Sequence, residues 1–196
     1  MDLILIVGPQ AVGKMTVGSE LEKYLDAKLL FNHETIDLFA RFLNYTPQTF
    51  QLSEIVRCNL FEAFTNNEET NATKGIIFTV VAGFDMESDW KVLASWVDKF
   101  EQANGRVYFV ELEADLKERL KRNTHESRLA AKPSKRNLDF SKNELIESAE
   151  KHRLNSHSGE VQKRLPSVNY KKINNTSLEA NEVAQSIYEW MLKVGY

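Results

Sequence analysis

The chain has 196 residues, of which 42% are apolar, 27% charged and 10% aromatic. That mixture excludes a disordered, collagen-like or disulfide-scaffold chain, and a formal net charge of −3 argues against a general nucleic-acid or anionic-membrane binder. No apolar run reaches the ~18 residues of a membrane span, and the single cysteine, Cys58, permits no internal disulfide. The expectation is a cytoplasmic protein folded as one domain over residues 1–196, since length, at ~150 residues per domain, leaves little room for a second.

The apolar pattern alternates between two periods. Leu3 to Val7 is a continuous branched run, as for a strand buried on both faces; Val17, Leu21 and Leu25 then recur at helical spacing. Lys28 to Phe31 predicts a second strand. Two helices follow, one around Ile36, Phe39, Phe42 and Leu43, the other opened by Thr46-Pro47 and carrying Leu52, Ile55, Val56, Leu60 and Phe64. Ile76 to Val81 is the third strand. A helix with Trp90, Leu93, Val97 and Phe100 ends at Asn104-Gly105, where the glycine is expected to take the left-handed conformation. Arg106 to Leu112 is the fourth strand, Asp115 to Arg122 a short helix, and Ser141-Lys142-Asn143-Glu144 a capping box opening another. Val168 to Ile173 and Leu178 to Leu192 close the chain as a fifth strand and a final helix. Strands separated by helices pair in parallel through right-handed crossovers, so the fold class is α/β: a three-layer sandwich on a five-stranded parallel sheet.

Directly after the first strand stands Gly8-Pro9-Gln10-Ala11-Val12-Gly13-Lys14-Met15-Thr16, with the spacing G-x-x-x-x-G-K. Gly8 and Gly13 allow the backbone to turn successive N–H groups around a phosphate chain, and the helix starting near Lys14 adds its free donors and positive dipole end. Lys14 reaches the β- and γ-phosphates. Chance yields about 0.03 such matches in a chain of this composition, before the strand–loop–helix context is required. Gln10, Ala11, Val12 and Met15 complete the nucleotide cradle, and Met15 stands where serine or threonine is expected, the hydroxyl coming one residue later at Thr16.

With Met15 in place of a glycine, this loop resembles the G-x-x-x-x-G-K-G-T of adenylate and related nucleoside-monophosphate kinases. The resemblance implies a P-loop fold with a kinase-type lid, in the group that includes shikimate-kinase-like, gluconate-kinase-like and chloramphenicol-phosphotransferase-like proteins. It also implies ATP and Mg²⁺ as cofactors, with Thr16 serving the metal. In that group a mobile lid stands after the fourth strand, here about residues 123–140. Lys117, Arg119, Lys121, Arg122, Arg128, Lys132, Lys135 and Arg136 concentrate positive charge around it. Arg119 and Arg122, three apart, share a helix face; one is expected to stack on adenine while the other reaches phosphate, with Arg128 also in the lid. The resemblance places the polar loop containing Asn175 beside the adenine edge.

Ligands of open parallel sheets bind at the carboxyl ends of the strands, so the residues just after each strand are candidates. After the second come His33 and, one helical turn on, Asp37, favoured as the carboxylate that positions the acceptor hydroxyl, with His33 as its orienting partner or the alternative base. Small-molecule kinases of the group place a carboxylate there. After the third come Ala82-Gly83-Phe84-Asp85, similar to the D-G-F-P-R of monophosphate kinases but without its first aspartate or its arginine. Asp85 is a candidate for acceptor or metal-water contacts. Arg41 and Arg57 lie on the helices, about 33–66, expected to cover the acceptor, where either could hold an anionic group. The expected activity is transfer of the γ-phosphate of ATP to an unidentified small molecule. A nucleotide-binding ATPase or switch without an acceptor, and a kinase of RNA ends or nucleotide-sugars, are the alternatives, and no oligomeric state is read.

Overall fold

The computed structural model describes residues 1–126, 129 and 137–196. Five strands, β1 (Asp2–Val7), β2 (Ala27–Phe31), β3 (Gly75–Val80), β4 (Arg106–Glu113) and β5 (Asn169–Asn174), form one sheet in the order β2-β3-β1-β4-β5, every neighbouring pair parallel. All six residues of β1 are buried, as its unbroken apolar run requires of a central strand. The register sets Val7 opposite Val80 on one side and Glu111 on the other, so three carboxyl ends come level above the middle of the sheet.

Side-chain alternation divides the core in two. Leu3, Leu5, Val7 and Phe78 face α3 (Pro47–Asn66) and α4 (Glu87–Gln102), while Ile4, Ile6, Tyr108 and Val110 face α1 (Lys14–Leu21) and the terminal helix α8 (Ala180–Lys193). The first layer centres on edge-to-face aromatics: the Phe78 and Trp96 rings lie 5.1 Å apart, and Phe61 packs on both, at 5.5 and 6.0 Å. The sheet is further flanked by α2 (Asn32–Leu43), α5 (Leu116–Asn123), α6 (Leu138–Lys151), the short α7 (Glu160–Arg164) and a single 3-10 turn at Glu68–Thr70.

Two local expectations change. At the end of α4 it is Asn104, at φ 58°, that takes the left-handed conformation; Gly105 is required instead by close approach, since a Cβ there would lie 2.9 Å from the Phe100 carbonyl. Helix α6 begins three residues before the Ser141 box, because the Asn137 side chain accepts the Phe140 N–H at 3.1 Å. Ser141 turns inward and donates to Asn123 Oδ1 at 3.1 Å.

A buried carboxylate supports the cleft end of β4. Glu111 is fully buried and accepts from Asn155 Nδ2, the Ser156 N–H and Tyr170 Oη at 2.8–2.9 Å, with Lys172 Nζ at 3.1 Å. Burial alone would push this carboxyl up; the hydrogen bonds from Ser156, Asn155 and Tyr170 outweigh it and hold the group below its usual range.

Candidate functional site

The loop between β1 and α1 is shaped by two positions that tolerate no ordinary side chain. A Cβ on Gly8 would sit 2.4 Å from the Leu112 carbonyl, and Gly13, at φ 107°, opens α1 from the left-handed region. Ala11, at φ 58°, is a third left-handed position occupied by a non-glycine residue. Around these turns, side chains from α1, α5 and the loop after β5 hold the loop's carbonyls. Lys14 Nζ donates to Gly8 O at 2.5 Å and Pro9 O at 2.8 Å; Arg119 Nε donates to Gln10 O at 2.9 Å. Arg122 Nη1 and Asn175 Nδ2 both donate to Val12 O, at 3.0 and 2.8 Å. Gln10 Nε2 donates to Ser148 Oγ of α6 at 2.9 Å. The Gly8 N–H is spent on Val80 O and the Val12 N–H on Pro9 O, so the amides of Gln10, Ala11 and Gly13 and the free N–H groups of α1's first turn are the ones left for an anion in the cleft.

The two arginines of α5 divide the work differently from a simple stack-and-clamp pair. Arg122 lines the cleft: its Nη2 donates to Asn175 O and Thr176 O at 2.9 and 3.2 Å, and its Nε to Glu118 Oε1 at 3.0 Å. One guanidinium therefore joins the phosphate loop to the loop after β5. Arg119 is buried and absent from the cleft lining. Burial pushes its guanidinium down to about 10, and among the described residues no carboxylate pairs with it, while its Nη2 has no hydrogen-bond partner. An unneutralised cation beneath the loop raises the positive potential on which phosphates would sit. Arg128 lies outside the described residues.

The cleft is a single open cavity of about 850 Å³ at the carboxyl ends of the strands. At one end are the loop, Arg122, Asn175 and the start of α8; at the other are Asn32, His33, Ile36, Tyr45, Phe50, Thr79, Val80 and Val81. Met15 and Thr16 stand between them, the Thr16 residue exposed. His33 lines the cavity and Asp37 stands behind it, its Oδ1 3.5 Å from His33 Nδ1 and accepting from Tyr45 Oη at 3.0 Å. Sequence spacing indicated the His33–Asp37 pair, and the basic run after β4 included Lys121, which lines the cleft; Tyr45, Phe50 and His125, which also line it, carry no motif and were not singled out.

Three substrate candidates lie elsewhere. Asp85 faces the segment after α6, accepting the Arg153 N–H at 3.1 Å with His152 Nδ1 at 3.5 Å. Arg57 is buried, donating to Asn32 Oδ1 and Glu54 Oε2 with its guanidinium 5.7 Å above the Phe78 ring. Arg41 is exposed, over the ring of Phe42. None of the three is among the cavity-lining residues. The resident-metal question has a similar geometric answer: among the described residues no cluster of three or more His, Cys, Asp or Glu side chains could hold an ion. A magnesium ion carried on phosphate oxygens and needing one protein hydroxyl fits the cleft at Thr16.

No family model matches the sequence. No curated protein matches it. Among solved structures, the chain is similar to a candidate kinase from Chloroflexus aurantiacus, with 15% identity, 100% of this chain and 97% of that one covered, and a TM-score of 0.63. It is likewise similar to shikimate kinase from Acinetobacter baumannii in complex with shikimate (17%, 99% and 94%, TM-score 0.57) and to a gluconokinase from Sinorhizobium meliloti (12%, 98% and 93%, TM-score 0.57). The fold is that of the P-loop small-molecule kinases. No helix of the described residues is long and apolar enough to cross a membrane.

Proposed function

We propose that the protein is an ATP-dependent phosphotransferase that moves a γ-phosphate onto a hydroxyl of a small molecule. The observation that carries this reading is the single cleft in which a phosphate-binding loop and a His33–Asp37 pair stand at opposite ends. Its similarity in fold to kinases that act on small hydroxylated molecules supports it further.

The nucleotide would lie with its phosphates over Gly8 to Thr16 and its base between Arg122 and the start of α8. Lys14 would exchange its loop carbonyls for the β- and γ-oxygens, following the charge toward the leaving oxygen. Thr16 would hold Mg²⁺, which when bound neutralises phosphate charge. At the other end, His33 faces the cavity and takes the acceptor proton, while Asp37 fixes the ring through Nδ1 and is itself held by Tyr45. Phosphoryl transfer asks little covalent chemistry of the protein, so most of the rate would come from positioning and from excluding water. Ile36, Tyr45, Phe50, Val80 and Val81 give the acceptor end an apolar, partly aromatic wall, which suits a hydroxyl compound with a ring or other apolar face.

The test is a metabolite screen with ATP and Mg²⁺ read as ADP release, with Lys14→Ala as the blank. A hit that vanishes in Lys14→Ala and loses kcat in His33→Ala supports the assignment. ADP release that is indifferent to every acceptor would instead favour an ATPase or switch.

A further inference from the structure

Helix α3 is amphipathic in the wrong sense for a surface helix over its first three turns. Toward the protein it presents Thr49, Ser53 and Arg57, all buried. Toward solvent it presents Leu52, Ile55, Val56 and Leu60, each 38–47% exposed. The inward polar groups are satisfied by α2 and the turn before α3: Ser53 Oγ shares a hydrogen bond with Thr35 Oγ1 at 2.6 Å, and Thr49 Oγ1 donates to Asn44 O at 2.6 Å. Arg57 is held by Asn32 and by Glu54 of its own helix. Over these turns the helix therefore docks on the protein through hydrogen bonds and leaves its hydrophobic side outside, while its last turns bury Phe61 and Phe64 in the core.

The outward stripe has the spacing of a helix–helix seam: Leu52, Ile55, Val56 and Leu60 recur at three and four residues, spanning ~12 Å. Leu38 and Phe42 of the packed neighbour α2 extend it, Phe42 being 77% exposed. At these exposures the six side chains offer roughly 500 Å² of apolar surface. That is close to the apolar share of a standard interface of ~800 Å² per partner and near the upper limit for a patch on a monomer.

We infer that this face is where two copies of the chain meet, α3 against α3 in antiparallel orientation about a two-fold axis near Val56. A second copy is the occupant the surface itself favours. Along α3 the remaining exposed positions between Gln51 and Leu60 are Gln51 and Asn59, uncharged amides, so this helix offers no exposed charge there for a charged partner to read; on the α2 edge Arg41 lies over the Phe42 ring. Two copies related by a two-fold set Leu52 against Leu60 of the partner subunit and bring no like charges together. A lipid surface would ask for a basic rim, and the flanking acids Glu54 and Glu62 argue against one. This inference is independent of the proposed activity.

Sedimentation equilibrium of the full chain, from low micromolar to near-millimolar concentration, is expected to give a mass approaching twice 22.6 kDa. Val56→Arg, which places two cations on the axis, is expected to leave a monomer with unchanged circular dichroism, and with a thermal midpoint that no longer rises with protein concentration as the parent's does. Leu52→Lys and Leu60→Glu should each weaken the dimer at least 10-fold. The double variant should regain much of it, because antiparallel pairing sets the new charges opposite one another. A wild-type chain that stays monomeric throughout overturns the inference. So does a dimer untouched by Val56→Arg, or a monomer that co-floats with anionic phospholipid vesicles and loses that binding in Val56→Arg.

Discussion

The two ends of the cleft are built on opposite principles. At the proposed phosphate end the backbone would do the binding and the side chains hold the backbone: four loop carbonyls are tied by Lys14, Arg119, Arg122 and Asn175. At the acceptor end the side chains themselves form the wall, and two of them, Tyr45 and Phe50, are each 48% exposed. The first end is pre-organised for a ligand of one fixed shape. The second is carried on α2 and α3, whose packing against each other is partly polar, and shares none of the side chains that tie the loop.

That contrast can be broken most forcefully at Gly8. Gly8→Ala forces a Cβ onto the Leu112 carbonyl and must displace the loop; isothermal titration should find nucleotide affinity reduced roughly 1,000-fold. An affinity within ~10-fold of the parent would mean that the loop is adaptable and the contrast false. The supporting carboxylate comes next. Glu111→Gln leaves donors facing an amide and should cost ~3 kcal/mol in urea denaturation. Because the native Glu111 carboxyl is held low, its contribution is present above the unfolded value of ~4.3 and lost as pH falls through the native one. The acid limb of the stability profile should therefore flatten in Glu111→Gln.

Smaller effects sharpen the comparison. Arg122→Ala removes charged donors from Val12 O, Asn175 O and Thr176 O and should weaken nucleotide binding ~30-fold while leaving acceptor KM within about twofold. Tyr45→Phe removes only the hydroxyl that holds Asp37 and should lower kcat ~3-fold with nucleotide affinity unchanged. If Tyr45→Phe moved nucleotide affinity as strongly, the two ends would not be separable.

How much of this could be read beforehand follows from the same contrast. The strands, their parallel pairing and the phosphate loop are written in local patterns, an unbroken apolar run followed by fixed glycines and a lysine, and the structure repeats them. The roles of Arg119 and Arg122 are not local. Both lie on one short helix, and only its rotation against the loop puts one under Gln10 and the other beside Asn175. Asp85 looked available because it follows β3. Its partners, His152 and Arg153, lie nearly seventy residues on, just past the end of α6, where the irregular chain leaves no periodic signature. The direction of α3 was hidden for a different reason. Period alone places Leu52, Ile55, Val56 and Leu60 on one face without saying whether that face turns in or out, and the polar groups waiting on α2 decide it.

Arg122 has a consequence for selectivity. The same guanidinium grips a carbonyl of the phosphate loop and two carbonyls of the loop that would border the base. The energies with which a nucleotide's head and tail are recognised are therefore not independent quantities. Altering the base should change how well the phosphate count is discriminated. A thermodynamic cycle built from two bases and two phosphate lengths should fail to close additively in the parent chain and close in Arg122→Ala.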